Sequence, residues 1–162
     1  SKIPYGIGLV KNKYIGRTFI SPSQELREKS VKVKLNAIKK VVEGKRVVVI
    51  DDSLVRGTTS KKLVKMLREA GAKEVHFRSA SPVVKNECYF GIDIATKKEL
   101  IGSKMSLEEI REKIDADSLD YLTLENLKLT LGGTNFCMGC FTGNYPITDM
   151  ENKSLEDEDA DL

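Results

Sequence analysis

An uninterrupted run of apolar, β-branched residues at positions 47–50 is the clearest hydrophobic pattern in the chain. A run of this length predicts a strand that is buried on both faces, as in a parallel sheet. After a polar loop, apolar residues recur with helical spacing and predict a helix over residues 60–70 that ends at Gly71. Its apolar positions are Leu63, Leu67 and Ala70, with Val64 beside them.

Weaker patterns predict strands on either side of this unit. Residues 3–10 have the composition of a short strand interrupted by glycines, and alternation over residues 31–35 predicts a half-exposed strand. Residues 74–82 predict a strand that pairs in parallel with the strand at 47–50 through a right-handed crossover. This order of elements predicts an α/β fold. His76, the single histidine, lies within this last strand, where we expect a structural role.

Three helices are predicted in the C-terminal part of the chain. Capping-box spacings that begin at Thr96 and Ser106 predict the first two. The third is expected to begin at Thr123 and to end at Gly132, and residues 115–121 are expected to connect it to the second. The apolar residues expected to pack inward are Leu107, Ile110 and Ile114 in the second helix and Leu124, Leu127 and Leu131 in the third.

Composition and length refine the predicted organisation. The 162 residues are 40% hydrophobic and 31% charged, which suits a soluble globular domain with a core of its own. No apolar run has transmembrane length and no segment is typical of a signal peptide, so we expect a cytoplasmic location. We expect an α/β region over residues 1–104, a helical, cysteine-bearing extension over 105–148 and a disordered acidic tail over 149–162.

The net charge of +3 conceals an uneven distribution of charge. Residues 149–162 carry seven acidic residues and one lysine, so the remainder of the chain is strongly basic. A basic body can indicate nucleic-acid binding. Here, however, the basic residues are scattered among acidic ones and aromatic residues are only 6% of the chain. The pattern favours a phosphate-rich small molecule, and we expect neither a nucleic-acid nor a membrane partner.

The candidate chemistry lies in the loop after the central strand. Asp51 and Asp52 stand at the carboxyl end of that strand, where open α/β sheets bind ligands. Gly57 precedes the helix, whose N-terminus suits a phosphate group. The two carboxylates would repel phosphate but suit sugar hydroxyls or Mg²⁺, so a ribose 5-phosphate has the right shape. Hydroxyl donors come from Ser53, Thr58, Thr59 and Ser60.

Two familiar phosphate motifs are absent from the sequence. It contains no GxxxxGK(S/T) motif of an NTPase P-loop and no GxGxxG dinucleotide motif after a strand. The stretch Val-Val-Val-Ile-Asp-Asp-Ser-Leu-Val-Arg-Gly-Thr-Thr-Ser, residues 47–60, instead resembles the 5-phosphoribosyl 1-pyrophosphate (PRPP) signature of type I phosphoribosyltransferases. The residues of this stretch are similar to those of the glutamine PRPP amidotransferase family. The resemblance extends over nearly all of residues 3–147.

The resemblance implies a fold, a reaction and partners. The fold would be the C-terminal part of a type I phosphoribosyltransferase parallel sheet with a C-terminal helical extension. The reaction would transfer glutamine-derived ammonia to C1 of PRPP, giving 5-phosphoribosylamine, pyrophosphate and glutamate, the first step of purine synthesis. The resemblance implies that this chain is part of a longer enzyme and inactive alone. It also implies a homotetramer inhibited by purine nucleotides.

The resemblance also assigns roles to individual residues. Asp51 and Asp52 would hold Mg²⁺ and the ribose hydroxyls. Lys11, Tyr14 and Arg17 would belong to a mobile loop that closes over the pyrophosphate. The cradle of the 5-phosphate would be formed by Ser53, Arg56, Gly57, Thr58, Thr59 and Ser60.

The three cysteines are a separate group of candidate ligands. Cys88 stands alone, and Cys137 and Cys140 form a CxxC pair. The spacing alone is compatible with half a zinc site, a redox pair, two iron–sulfur ligands or structural thiols. The resemblance implies that all three bind a structural 4Fe–4S cluster, whose fourth ligand would lie upstream of residue 1.

Other function classes share parts of these patterns. A salvage-type phosphoribosyltransferase that uses a nucleobase would keep the PRPP signature but would not need the cysteine segments. A non-catalytic PRPP-binding module would keep the phosphate cradle and release no pyrophosphate. A zinc-binding nucleic-acid module is a more distant alternative that metal analysis would distinguish.

Overall fold

The computed structural model describes residues 2–11, 35–90, 96–133 and 135–146. Three strands form a parallel sheet in the order β3-β4-β5, and two short strands, β1 and β2, form an antiparallel pair. In chain order the elements are β1 (Leu9–Lys11), β2 (Leu35–Ala37), α1 (Lys39–Val42), β3 (Arg46–Asp51), α2 (Thr58–Glu69), β4 (Glu74–Ser79), a 3₁₀ turn (Ile101–Ser103), α3 (Leu107–Ile114), β5 (Ser118–Tyr121), α4 (Leu124–Leu131) and α5 (Gly139–Thr142).

The central strand, loop and helix are confirmed as β3, its following loop and α2. Along β3 the side chains alternate, and Val49 lies on the face that continues through Phe77 of β4 and Leu119 of β5. Those three residues are buried with the apolar face of α2. Helix α2 ends at Glu69, and Gly71 adopts a φ of +92° as the chain turns back. The parallel pairing predicted for residues 74–82 is also confirmed.

The prediction that β3 is buried on both faces is wrong for the described residues. Val48 is 41% exposed and Ile50 is 72% exposed. In the register of the sheet these residues lie beside His76 and Arg78 of β4, which gives this face a mixed polar and apolar surface. Within the described residues, α2 and α3 pack against the opposite face, because the buried partners of both helices lie there.

Residues 118–121 form a strand, whereas the sequence analysis predicted only a connection over 115–121. The carboxylate of Asp117 accepts a hydrogen bond from the Val75 amide at 2.6 Å, and β5 then pairs with β4 from Ser118 onward. Arg68 of α2 donates to the same carboxylate at 3.1 Å. This contact joins the helix to the start of the third strand, so the sheet extends beyond the region predicted to contain it.

The capping box that begins at Ser106 is confirmed, since the Ser106 and Glu109 side chains each accept from the other's backbone amide. Ile110 and Ile114 are buried as expected, but Leu107 is 46% exposed. The expectation that Leu107 packs inward is therefore wrong.

The helix expected to begin with a capping box at Thr96 does not form. The Glu99 amide donates to the Thr96 carbonyl in a turn, and a 3₁₀ turn follows at Ile101. The carboxylate of Glu99 is instead 3.0 Å from Arg56, so it does not return to cap Thr96. The Glu99 side chain therefore pairs with a distant cation instead of making the predicted local contact.

Helix α4 begins and ends where the sequence predicts, but no residue in it is buried within the described structure. The Thr123 hydroxyl accepts from the Asn126 amide, and Gly132 closes the helix at a φ of +71°. Of the leucines expected to pack inward, Leu124 and Leu127 are partly buried, whereas Leu131 is 43% exposed. The expectation is therefore wrong for Leu131. Leu129, on another side of the helix, is 77% exposed.

The antiparallel pair lies beside the start of β3. Strand β1 pairs with β2, and the strand predicted over residues 31–35 is described only from Leu35 onward. Val42 of α1 is 1% exposed and joins the main core. In the ranges that the structure describes, no helix is long and apolar enough to cross a membrane.

Candidate functional site

The β3–α2 loop, residues 51–57, lies at the carboxyl end of the parallel sheet. Asp51 is opposite Ser79 in the register, and its carbonyl accepts from the Ala80 amide at 2.8 Å. The loop ends at Gly57, which is the N-cap of α2. Ordinary β-sheet pairing therefore places two carboxylates and a helix N-terminus in one short loop.

The two carboxylates are held by the loop itself. The Asp52 amide donates to Asp51 Oδ1 at 3.1 Å, and the Ser53 hydroxyl donates to Asp52 Oδ1 at 3.0 Å. Burial of the half-buried Asp51 raises the pKa of its carboxyl, and the Asp52 amide opposes that change. A bound cation would favour the ionised carboxylate, so this pair suits a divalent ion with water and ligand oxygens completing its coordination.

Gly57 allows the loop to turn directly into the helix. It has a φ of +73°, and a Cβ at this position would lie 2.9 Å from Ile101 Cδ1. In the described residues, no side chain caps this end of α2 and its first turn contains no acidic residue. Its N–H groups and partial positive charge are therefore available to an anion.

The hydroxyl residues of α2 differ in their access to solvent. Thr58 and Thr59 are exposed, whereas Ser60 is 3% exposed on the face that also buries Leu63. The arrangement therefore presents two threonine hydroxyls and the helix N-terminus outward. Because the Ser60 side chain is buried, we expect any contact of this residue with the phosphate to come from its backbone amide.

A second segment, residues 99–101, supports the β3–α2 loop. Arg56 Nη2 donates to Glu99 Oε2 at 3.0 Å, and the Ile101 amide donates to the Val55 carbonyl at 3.1 Å. The sequence analysis missed both contacts with the loop. Glu99 was noticed only for its spacing from Thr96, and no local pattern indicates a partner 43 residues away.

The cysteine-bearing turn, residues 137–143, packs against the segment that follows β4. The Cys140 carbonyl accepts from the Lys85 and Asn86 amides at 2.9 and 3.0 Å. Burial raises the pKa of the Cys140 thiol, and the neighbouring Cys88 and Cys137 raise it further. Although 49 residues separate the two cysteine motifs in the chain, the contacts of the Cys140 carbonyl place the cysteine-bearing turn against the segment that leads to Cys88.

Aromatic contacts complete this second site. The Tyr145 hydroxyl donates to the Glu87 carbonyl at 2.6 Å, and its ring centroid lies 4.9 Å from that of Tyr89. Gly139 leaves room for the Tyr145 ring, because a Cβ there would lie 2.2 Å from Cδ1. An open groove adjoins the turn and is lined by Lys128, Asn135, Phe136, Cys137, Met138, Thr142, Asn144, Tyr145 and Pro146.

A family comparison covers strands β1 to β4 and the β3–α2 loop. A family model described as the phosphoribosyl transferase domain matches residues 4–103, which is more than half of the chain. The chain belongs to this phosphoribosyltransferase family.

Within this phosphoribosyltransferase family, the chain is similar to curated amidophosphoribosyltransferases. It is 55% identical over 150 residues to the protein of Bacillus subtilis (strain 168), covering 89% of this chain and 32% of the relative. It is 56% identical over 146 residues to the protein of Methanocaldococcus jannaschii, covering 90% of this chain and 31% of the relative. The chain therefore spans about a third of the length of these relatives.

A solved structure shares both the sequence and the fold of this phosphoribosyltransferase chain. It is the glutamine PRPP amidotransferase of B. subtilis complexed with ADP and GMP. The TM-score is 0.79 at 52% identity, and the match covers 93% of this chain and 34% of the other. The α/β fold predicted from the sequence, with its type I phosphoribosyltransferase sheet, is thereby confirmed.

Of the three predicted pyrophosphate residues, the structure describes only Lys11. Lys11 is exposed at the end of β1, in the antiparallel pair. Tyr14 and Arg17 lie outside the described residues. His76 is within hydrogen-bonding distance of Ser118 and Glu74, at 2.8 and 3.0 Å, which agrees with the structural role expected for it.

The cysteine donors fit an iron–sulfur cluster in type but not in number. Cys88, Cys137 and Cys140 supply three thiols, whereas such clusters are held by four protein ligands. Among the described residues, no group of three or more His, Cys, Asp or Glu side chains is arranged to hold a metal ion. The cluster therefore stays a prediction that needs a donor in addition to these three.

Proposed function

We propose that this chain is the PRPP-binding part of an amidophosphoribosyltransferase. In the complete enzyme it would transfer glutamine-derived ammonia to C1 of PRPP, with release of pyrophosphate. The observation that carries this proposal is the β3–α2 loop, which joins an acidic pair to an uncapped helix N-terminus in a chain 55% identical to a curated amidophosphoribosyltransferase. We expect this chain to bind PRPP by itself but not to form phosphoribosylamine.

The proposed reaction requires the protein to position the substrates and stabilise charge, and it requires no nucleophile from the protein. Breaking the bond between C1 and the pyrophosphate oxygen leaves positive charge on the ribose and negative charge on the leaving group. Mg²⁺, when bound, would neutralise part of the pyrophosphate charge. Asp51 and Asp52 would hold that ion and orient the ribose hydroxyls. No protein group needs to form a covalent bond with the substrate.

The remainder of the β3–α2 loop would bind the 5-phosphate. Backbone amides near Gly57 would donate to the phosphate oxygens, and the exposed Thr58 and Thr59 hydroxyls would add donors. Ser53, Arg56 and Ser60 would complete the cradle. The Lys11 and Arg17 cations would neutralise the pyrophosphate, and Tyr14 would contact it, from a separate segment.

The remaining predicted features belong to the complete enzyme. We propose that Cys88, Cys137 and Cys140 supply three ligands of a structural 4Fe–4S cluster. Purine nucleotides are proposed as inhibitors, and the complex of the B. subtilis enzyme with ADP and GMP supports that proposal. A homotetrameric assembly and a cytoplasmic location also stay proposals.

Replacement of one carboxylate tests the proposed role of the loop. Isothermal titration calorimetry with PRPP and Mg²⁺ should give one binding site per chain. Because Asp51→Asn removes one anionic ligand, we expect Mg²⁺-dependent affinity to fall by about tenfold or more, which is about 1.4 kcal/mol. Asp120→Asn is a matched control, because that side chain is exposed on β5 beside Arg78. Equal affinities of Asp51→Asn and the unmodified chain would contradict the proposed metal role.

A further inference from the structure

A small hydrophobic core lies between the β3–α2 loop and the cysteine-bearing turn. Its two buried residues are Leu100, at 0% exposure, and Val84, at 4%. Three partly buried residues pack against them: Val55 of the β3–α2 loop and Cys140 and Phe141 of the cysteine-bearing turn. Both candidate sites therefore share one packing cluster, which we call the small core.

Leu100 lies between two residues that contact the β3–α2 loop. Glu99 holds Arg56 at 3.0 Å, and the Ile101 amide donates to the Val55 carbonyl at 3.1 Å. Ile101 Cδ1 also packs closely against Gly57, because a Cβ on Gly57 would lie only 2.9 Å from it. Any displacement of Leu100 would therefore move the backbone that supports this loop.

Gly102, which follows Ile101, packs tightly against residues 83 and 84. A Cβ on Gly102 would lie 2.4 Å from Val83 Cγ1 and 2.7 Å from the Val84 carbonyl oxygen. The next residues, Lys85 and Asn86, donate their amides to the Cys140 carbonyl. Close packing of this kind transmits displacement, because dense interiors deform little.

We propose that Leu100 is a positioning residue that couples the packing of the cysteine-bearing turn to the conformation of the β3–α2 loop. When packing at Phe141 or Cys140 is lost, Leu100 can move. The contacts by which the neighbouring Ile101 holds Val55 and Gly57 then weaken. By linkage, a ligand that orders the loop also stabilises the turn. The consequence for PRPP affinity rests on the proposed function, whereas the mechanical coupling does not.

Amide hydrogen exchange in the ligand-free chain tests the coupling directly. Phe141→Ala removes a side chain from the small core, and exchange of a peptide covering residues 52–57 is expected to become severalfold faster. Phe136→Ala is the matched control, because Phe136 belongs to the same region of the chain, is 49% exposed and lies outside the small core. Equal exchange of the loop in the two variants would overturn the proposal.

Strand β4 reports whether a variant remains folded. Exchange across Glu74–Ser79 should be the same in both variants, because Phe77 lies in the main core. If Phe141→Ala also loosens β4, the smaller change Phe141→Leu replaces it, with the same expectation for residues 52–57. Acceleration limited to the loop supports the coupling, and a uniform acceleration in Phe141→Leu contradicts it.

Variants of Leu100 test whether this residue carries the effect. Leu100→Ala should accelerate exchange of the loop to the level of Phe141→Ala, and the double variant should add little further. Leu100→Met conserves volume and should restore slow exchange. Additive effects of Leu100→Ala and Phe141→Ala on the loop would show independent roles and would overturn the assignment to Leu100.

A calorimetric titration with PRPP and Mg²⁺ separates this inference from the proposed function. If both hold, Phe141→Ala should weaken affinity severalfold while Phe136→Ala leaves it unchanged. Unmodified chain that binds no PRPP would contradict the proposed function, and the exchange results would still decide the coupling. Binding that is equally strong in Phe141→Ala and Phe136→Ala would overturn the consequence drawn for affinity.

Discussion

The two candidate sites rest on hydrophobic cores of very different size. Among the described residues, the main core contains thirteen buried ones from the parallel sheet, its helices and the adjoining loops. In the same ranges the small core contains two, Val84 and Leu100. The β3–α2 loop is held by both, because Leu54 is buried in the main core and the adjacent Val55 packs on the small one. The cysteine-bearing turn packs on the small core through Cys140 and Phe141.

This difference indicates how robust each site is. The main core has many contacts, so it is expected to hold β3, α2 and Leu54 in place when one small-core contact is lost. The small core has few contacts, so a change there is expected to loosen the cysteine-bearing turn and the part of the β3–α2 loop around Val55, without unfolding the sheet. Helices α2 and α4 show the same contrast, since α2 buries four residues and α4 buries none in the described structure.

The largest expected effect comes from leucines in these two helices. Leu67→Ala opens a cavity at a residue that is 1% exposed, and we expect the free energy of unfolding to fall by about 2–5 kcal/mol. Leu129→Ala changes a side chain that is 77% exposed, and we expect a change within about 0.5 kcal/mol. Urea unfolding followed by circular dichroism measures both. Similar losses in the two variants would show that another part of the protein covers α4.

A second test compares glycines with similar backbone conformations. Gly57 and Gly143 have φ values of +73° and +83°. An alanine at either position costs about 1–2 kcal/mol in the left-handed region. Only Gly57→Ala also places its Cβ against Ile101, whereas the nearest atom at Gly143 is Asn86 Nδ2 at 3.7 Å. We expect thermal unfolding to show the larger loss for Gly57→Ala, and PRPP affinity to fall in that variant alone.

A smaller effect concerns the polar contact that ties α2 to β5. The Val75 amide, with help from Arg68, holds the pKa of Asp117 below its ordinary value of 3.8. The unfolded state therefore binds the proton more readily, so this stabilisation is present above pH 3.8 and is lost as the pH falls through the lower, folded pKa. Asp117→Asn should cost about 1 kcal/mol at pH 7, allowing for solvent screening, and progressively less as the pH falls below 3.8. A loss that does not shrink as the pH falls below 3.8, measured by urea unfolding, would contradict this account.

The sequence was sufficient for the contiguous part of the fold. A strand, an acidic pair, a glycine and a helix follow one another between residues 46 and 69, and each follows from local patterns. The same holds for the capping box at Ser106 and the cap at Thr123. The family resemblance then identified PRPP as the expected ligand of the loop. The residues alone indicated only a phosphate group together with sugar hydroxyls or Mg²⁺.

What the sequence did not predict depends on distant contacts. Strand β5 is four residues long and has one buried apolar residue, so its pairing with β4 leaves little local signal. Glu99 contacts Arg56 rather than the nearby Thr96, which no local spacing indicates. The leucines of α4 identified an apolar face but not what packs on it. Periodicity tells which side of an element is apolar, and tertiary structure decides whether that side is covered.

The central claim is that the β3–α2 loop and the start of α2 bind a phosphate group. The most direct test is to locate the residues that respond when a phosphate ligand binds. Isotopically labelled chain can be titrated with ribose 5-phosphate and Mg²⁺ while the backbone amide signals are followed by nuclear magnetic resonance. If the β3–α2 loop and the start of α2 are the phosphate cradle, the amides of residues 53–60 should shift most, and Asp51→Asn should weaken the response. Shifts confined to β1 or α4, with residues 53–60 unchanged, would contradict the account.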